Sequence, residues 1–264
     1  MLGMLQTVVQ PESVIHAIGP RLWYDARYIS DTYVTGSQLL INSVPNRSGL
    51  GNPMKMEDMS RKPAVAFNNL VNSPCIRFDG VNDYLTSSEV DMTTVQAVTI
   101  FSKYNMVNNT FYETLFSRGS DWTAVNGGLQ IYIRNSPPSP FGNDIYFGAR
   151  GIGTTLSTTR ATGPYGYNQV NTVAFKQDFT QQGSVYDQQR IYVSGTIPSG
   201  YTQANATLLA SSATFGNLIN SLGTRAAAPT QIMGGDVYQF IIVSRALTDD
   251  QIYYIERNVL PGMW

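Results

Sequence analysis

Hydrophobic and polar positions alternate in short runs along most of this 264-residue chain. Residues 98–102, 114–117, 129–133, 145–149, 171–175, 189–193 and 207–210 each read as a strand. Turn-rich clusters separate them, at Asn108-Asn109, Ser136-Pro137-Pro138-Ser139-Pro140, Gly163-Pro164-Tyr165-Gly166 and Pro198-Ser199-Gly200. Residues 27–75 show no such alternation beyond the apolar run Leu39-Leu40-Ile41, and read as irregular. A further strand follows Gly235. Val237, Gln239, Ile241 and Val243 are expected on one face and Tyr238, Phe240 and Ile242 on the other, so that both faces are largely covered. The period then changes to that of a helix. Thr248 is a good N-cap, Gln251 completes a capping box, and Leu247 can staple onto Ile252. Asp249 and Asp250 suit the positive end of the helix dipole, and Ile252, Ile255 and Val259 recur at helical spacing until Pro261-Gly262.

Many short strands with a single late helix predict an all-β fold, a two-sheet antiparallel sandwich. One domain is expected over residues 21–264, with residues 1–20 as an N-terminal arm. Val8, Val9, Val14, Ile15 and Ile18 make that arm apolar, while Pro11 and Gly19-Pro20 interrupt it. It can fold back on its own domain or dock on a neighbouring subunit.

Several stretches resemble one family. Leu22-Trp23-Tyr24-Asp25-Ala26 looks like its opening strand, and Ile76-Arg77-Phe78-Asp79-Gly80-Val81-Asn82-Asp83-Tyr84-Leu85 like its strand and turn. Arg190-Ile191-Tyr192-Val193-Ser194-Gly195 resembles a hairpin of that family, and residues 244–252 its turn into the closing helix. Pro45-Asn46-Arg47-Ser48-Gly49-Leu50-Gly51-Asn52 resembles its glycine-rich loop, with Asn46 where Asp is usual and no Trp just before it. The family is that of the laminin-G-like, concanavalin A-like jelly rolls, of the kind found in bacteriophage structural proteins. The resemblance implies a jelly roll with a short C-terminal helix. It leaves function open among lectins, glycosidases and structural modules.

Net charge is −1 and only 13% of residues are charged, so there is no electrostatic pull toward nucleic acid or an anionic membrane. No 18 apolar residues run together, which gives no candidate membrane span. Residues 1–18 lack the basic start and unbroken apolar stretch of an export signal. The expected setting is therefore a virion protein, made in a host cytoplasm and acting extracellularly after release. Cys75, the single cysteine, excludes an internal disulfide framework and reads as a small core residue.

The resemblance makes glycoside hydrolysis worth testing, because that chemistry needs two carboxyl groups flanking the scissile bond. The nearest match to the family's Glu-x-Asp-x-Glu strand is Glu89-Val90-Asp91-Met92-Thr93, with Thr93 in place of the second glutamate, and Glu89 is expected in a turn. His16 is the only histidine, which disfavours a Ser-His-Asp relay or a multi-histidine zinc site. Asp79, Asn82 and Asp83 could face a calcium ion but read more simply as turn-holding groups. No catalytic residue, metal or cofactor is therefore expected. For carbohydrate, an exposed aromatic ring beside amides and carboxylates is sought. The candidates are Trp122 with Asp121 and Asn126, Tyr165 and Tyr167, and Tyr201. The expected function is a non-enzymatic decoration, fibre or tail-appendage subunit with a lectin-like domain. Its partners would be other virion proteins, a second copy of itself as a homo-oligomer, or a cell-surface glycan, with no nucleic acid and no membrane insertion. The alternative is a carbohydrate-binding lectin module of a bacterial surface or secreted protein.

Overall fold

The computed structural model describes residues 10–69, 71–107, 112–119, 126–135, 143–163, 168–205, 207–225 and 231–263. Helix α1 (Pro11–Ala17) leads into strands β1 (Pro20–Asp25), β2 (Asp31–Thr35), β3 (Gln38–Val44), β4 (Met54–Lys55), β5 (Ala64–Asn68) and β6 (Ser73–Asp79). Then come β7 (Leu85–Asp91), β8 (Ala97–Met106), β9 (Tyr112–Arg118), β10 (Leu129–Asn135), β11 (Asn143–Ala149), β12 (Ser157–Gly163) and β13 (Asn171–Asp178). Helix α2 (Val185–Gln188) precedes β14 (Gln189–Val193), β15 (Tyr201–Asn205), β16 (Asn217–Leu222) and β17 (Gly234–Val243), and α3 (Asp249–Tyr254) continues into π-helical turns at Ile255–Val259.

All described pairings are antiparallel and fall into two layers. The back layer runs β14-β13-β8-β17, with β1 and β6 sharing the far edge of β17. The front layer runs β15-β12-β11-β10-β9-β16-β7. The β3, β4 and β5 strands join the layers at one side, through β4 to β7 and through β5 to β6. This is an all-β antiparallel sandwich, as the strand pattern predicts.

Alternation along the strands builds the main core between the layers. Ile100, Val173, Phe175, Phe240 and Ile242 face Phe116, Leu129, Ile131, Ile133, Ile145, Phe147 and Leu222. Phe116 stacks on Phe240 at 4.4 Å, and Phe147 meets Phe175 at 5.4 Å, so aromatic pairs bridge the two sheets. Each fully buried phenylalanine stabilises the fold by roughly 1.5–3 kcal/mol relative to an exposed one.

A second core lies on the outer face of the back layer. There Trp23, Phe101, Tyr192, Ile241 and Val243 are covered by Leu247, Ile252, Ile255, Val259 and Leu260 from the C-terminal segment and by Ile15 from α1. The capping box forms as the sequence predicts: Gln251 N–H donates to Thr248 Oγ1 at 3.2 Å, and Thr248 N–H donates to Gln251 Oε1 at 3.0 Å. Thr99 pins the preceding turn, donating to the Arg245 carbonyl and accepting from Leu247 N–H.

The structure corrects three expectations. The single alternation expected along 237–243 breaks at Tyr238, where β17 carries one extra residue relative to β8. The bulge puts Val237 with Phe240 and Ile242 in the main core and sends Ile241 and Val243 to the second. Residues 27–75 hold four strands rather than irregular chain. They escape the pattern because β2 is mostly exposed and β5 mostly half-buried, so neither shows a buried stripe. No strand forms at 207–210. Instead the Gln188 side chain takes the place of a neighbouring strand, accepting from Leu209 N–H at 2.8 Å and donating to its carbonyl at 2.6 Å. Residues 11–17 of the expected arm take one of the two courses open to them and fold back as α1, with Ile15 fully buried in the second core.

Arg47, in the loop that resembles the family's, secures α1. Its guanidinium lies 4.3 Å from the Trp23 ring centroid and 3.5 Å from that of Tyr28, and it donates to Glu12 at 3.2 Å. Tyr28 Oη also donates to Glu12. Asn46 fixes the same loop on β1 by accepting from Trp23 N–H at 2.9 Å and from Ser48 N–H at 3.1 Å. No helix among the described residues is long and apolar enough to cross a membrane.

Candidate functional site

Two surfaces emerge from the strand register. The first is the outer face of the front layer. Ile131 and Ile133 of β10 and Ile145 and Phe147 of β11 point into the main core, so Gln130, Tyr132, Arg134, Asp144 and Tyr146 point away from it. Cross-strand pairing sets Tyr132 beside Tyr146, Arg134 beside Tyr112, and Tyr146 beside Arg160. Three tyrosines form a row across β9, β10 and β11. The Tyr132 and Tyr146 rings stack at 4.7 Å with their planes 4° apart, and Tyr112 lies 6.0 Å from Tyr132.

Charged groups frame this row. Arg134 lies 5.6 Å from the Tyr112 ring centroid and donates to Tyr146 Oη at 3.4 Å. Tyr146 Oη reaches Asp144 at 3.5 Å, and Arg160 lies 3.6 Å from the same carboxylate. Asp144 Oδ1 is buried and has no hydrogen-bond partner among the described residues. Burial pushes the Tyr132 hydroxyl well above the usual tyrosine range, so it stays neutral at physiological pH. Glu113 pairs with Ile133 and thus belongs to the opposite face, which leaves Asp144 as the carboxylate of the row among the described residues.

The second surface is an open cleft of about 920 Å³. Its walls are the tip of the β2–β3 hairpin (Thr35, Gln38), the stretch Met59 to Ala64, the end of β6 with its turn (Arg77 to Asp79, and Asp83), and the junction of Val107 with Gly234 and Gly235. Asp79 Oδ1 accepts from the N–H groups of Val81, Asn82 and Asp83 at 2.8, 3.1 and 3.3 Å. Asp83 Oδ2 accepts from Asp79 N–H at 3.0 Å. The turn is therefore held by Asp79 and Asp83, around Gly80 in the left-handed region (φ 78°), while Asn82 contributes its backbone N–H. Burial first, and the facing Asp79 charge second, push the Asp83 carboxyl up to about 7.

Most of the sequence-predicted carbohydrate residues fall outside the described part of the structure. Asp121, Trp122, Tyr165 and Tyr167 lie outside the described residues. Asn126 is exposed in the turn before β10, and Tyr201 opens β15 opposite Ala161. Glu89 and Asp91 lie within β7, not in a turn. Asn217 donates to Glu89 at 3.0 Å, and Thr93 donates to Asp91 through both N–H and Oγ1. No group of three or more His, Cys, Asp or Glu side chains able to hold a metal ion occurs among the described residues. The tyrosine row was legible in one respect only: Tyr132 and Tyr146 occupy outward positions of two adjacent alternating strands.

No protein-family model and no curated protein match the sequence. Solved structures do match its fold. The botulinum neurotoxin serotype G binding domain aligns with a TM-score of 0.56 at 13% identity, over 90% of this chain and 50% of that one. The serotype D binding domain gives 0.59 at 11% identity, over 94% and 52%. The binding domain of botulinum neurotoxin DC, solved in complex with SialylT, gives 0.58 at 12% identity, over 91% and 52%. The chain spans about half the length of these domains, and at such identities the likeness is one of fold: an antiparallel jelly-roll sandwich.

Proposed function

We propose that this chain is a non-enzymatic, lectin-like recognition subunit that holds a glycan on the outer face of its front layer. The observation that carries this reading is the Tyr112–Tyr132–Tyr146 row framed by Arg134, Asp144 and Arg160. The half-buried rings of Tyr112 and Tyr132 offer a C–H-rich sugar face an apolar surface, Tyr146, only 5% exposed, backs Tyr132, and the guanidinium groups of Arg134 and Arg160 can hydrogen-bond the hydroxyls. A single carboxylate on the row suits binding rather than glycoside hydrolysis, which takes two. The likeness to binding domains, one solved in complex with SialylT, supports the reading at the level of fold. We further propose the setting implied by the sequence resemblance, a subunit of a bacteriophage particle that meets other virion proteins and a host-surface glycan.

A glycan array probed with the intact chain tests the binding. Retained oligosaccharides should lose at least tenfold in affinity with Tyr132→Ala and with Arg134→Ala, while Glu89→Gln on β7 leaves them unchanged. No reducing sugar should be released from laminarin or lichenan. An array with no retained glycan, or variants that bind as the parent does, would refute the assignment. Mass spectrometry of purified particles from the source tests the setting.

A further inference from the structure

The cleft beside β6 shares none of the residues of the tyrosine row, and its two carboxylates are only half engaged. Asp79 uses Oδ1, and Asp83 uses Oδ2, on backbone N–H groups of their own turn. Asp79 Oδ2 and Asp83 Oδ1 make no hydrogen bond with the described residues. We propose that this cleft is a second binding site, which takes the ammonium or guanidinium end of a lysine- or arginine-bearing peptide chain between Asp79 and Asp83.

The charges around the cleft favour that occupant. Arg77 forks onto Asp236 at 2.7 and 3.0 Å, so its charge is already balanced. Lys62 donates to Asn42 Oδ1 and acts on Asp31. Arg61 pairs with Asp58 at 3.2 Å and donates to Tyr84 Oη at 3.3 Å. Asp79 and Asp83 are the lining charges that no other side chain meets among the described residues. Asp83 is only 7% exposed, so little water competes for its free oxygen. Met59, Leu40 and Val107 line the same space and can flank the methylene stem that leads to a cationic head group.

A metal ion fits less well. Calcium takes six to eight oxygen ligands, whereas two free carboxylate oxygens face a space far larger than an ion. A peptide chain uses both the volume and the aliphatic walls. Binding also has a protonic signature. Asp83 is pushed up to about 7 by burial and by Asp79, and a cation beside it favours the ionised form. Near neutral pH, binding should release a fraction of a proton, with Lys62, Arg77, Asp79 and Asp236 as the other charged groups facing the site.

Isothermal titration of the full chain with an Nα-acetylated pentalysine amide at low salt and pH 7 tests the proposal. Saturable binding is expected, with a heat that varies with the ionisation enthalpy of the buffer. Affinity should fall at least tenfold with Asp83→Asn, which keeps an acceptor for Asp79 N–H, and should vanish when the lysines are Nε-acetylated. Val107→Lys, at an exposed position, should also weaken binding and serves if Asp83→Asn does not fold. Asp187→Asn, an exposed carboxylate on α2, should leave binding unchanged. Absence of binding, equal loss in Asp187→Asn, or parent-like binding by Val107→Lys would overturn the proposal. So would Asp83-dependent calcium binding that displaces the peptide, which would make this a metal site.

Discussion

Truncating Ile255 to alanine probes whether the C-terminal segment is part of the folded unit or an ornament on it. Ile255 is 2% exposed and packs in the second core with Trp23, Ile241 and Ile252. The substitution removes three carbon groups, and at about 0.8 kcal/mol per buried CH₂ the transfer loss alone is about 2.4 kcal/mol. The cavity left behind adds to this, since strands on one side and π-helical turns on the other limit collapse, which places the total at about 3–4 kcal/mol. For a domain of this size, 1 kcal/mol shifts Tm by about 2–4 °C, so Tm should fall by roughly 6–16 °C. Tyr254→Ala, at a residue 48% exposed on the same segment, is the control and should cost under about 1 kcal/mol. Urea unfolding followed by tryptophan fluorescence reads both, because Trp23 sits in the same core. An Ile255→Ala curve that overlays the parent, or equal losses in the two variants, would refute this account of the second core.

Two further outcomes are expected. Burial pushes the Glu256 carboxyl up to about 8, against partial relief from Gly195 N–H at 2.8 Å and from Arg257. A carboxyl raised on folding contributes stability that is full below its unfolded value, near 4.5, and is lost as pH rises toward 8. Asp83, pushed up to about 7, acts in the same direction. Tm should therefore decline between pH 5 and 8, and Glu256→Gln, which keeps an acceptor for Gly195, should flatten that decline; a parallel slope in the variant contradicts it. Deleting residues 1–18 should lower Tm, because it removes Ile15 from the second core and Glu12 from its partners Arg47 and Tyr28. Unchanged melting after the deletion would show that α1 contributes nothing.

How far the sequence foretold this depends on how local each signal is. Thr248, Gln251 and the Ile252–Ile255–Val259 stripe act within about three turns, and they form the predicted helix start. The bulge at Tyr238 depends on how β17 registers with β8, a partner more than a hundred residues away in sequence, and nothing in the β17 sequence announces it. The strands β2 to β5 hide because β2 and β5 have little buried surface and β4 is only two residues long. For the site, the aromatics expected to be exposed lie in loops. Yet Tyr132 and Tyr146 stand in strands whose alternation already assigns Ile131, Ile133, Ile145 and Phe147 to the core, so the outward positions could have been compared across strands. Their stacking at 4.7 Å depends on a β10–β11 register that neither strand specifies alone.

The position of β17 has a consequence for biosynthesis. It is the last strand of the chain, yet it lies inside the back layer, between β8 on one edge and β1 and β6 on the other. A nascent chain that has emerged only as far as β16 leaves all three of those partners with unpaired edges and both cores open. The sandwich therefore cannot close progressively from its first residue. It must wait until residue 243 has left the ribosome, and its closure depends on contacts spanning more than two hundred residues, such as Trp23 with Ile241. Until then the waiting edges are templates for pairing with another chain. A premature stop just before Gly234 would yield an aggregating fragment rather than a smaller folded domain.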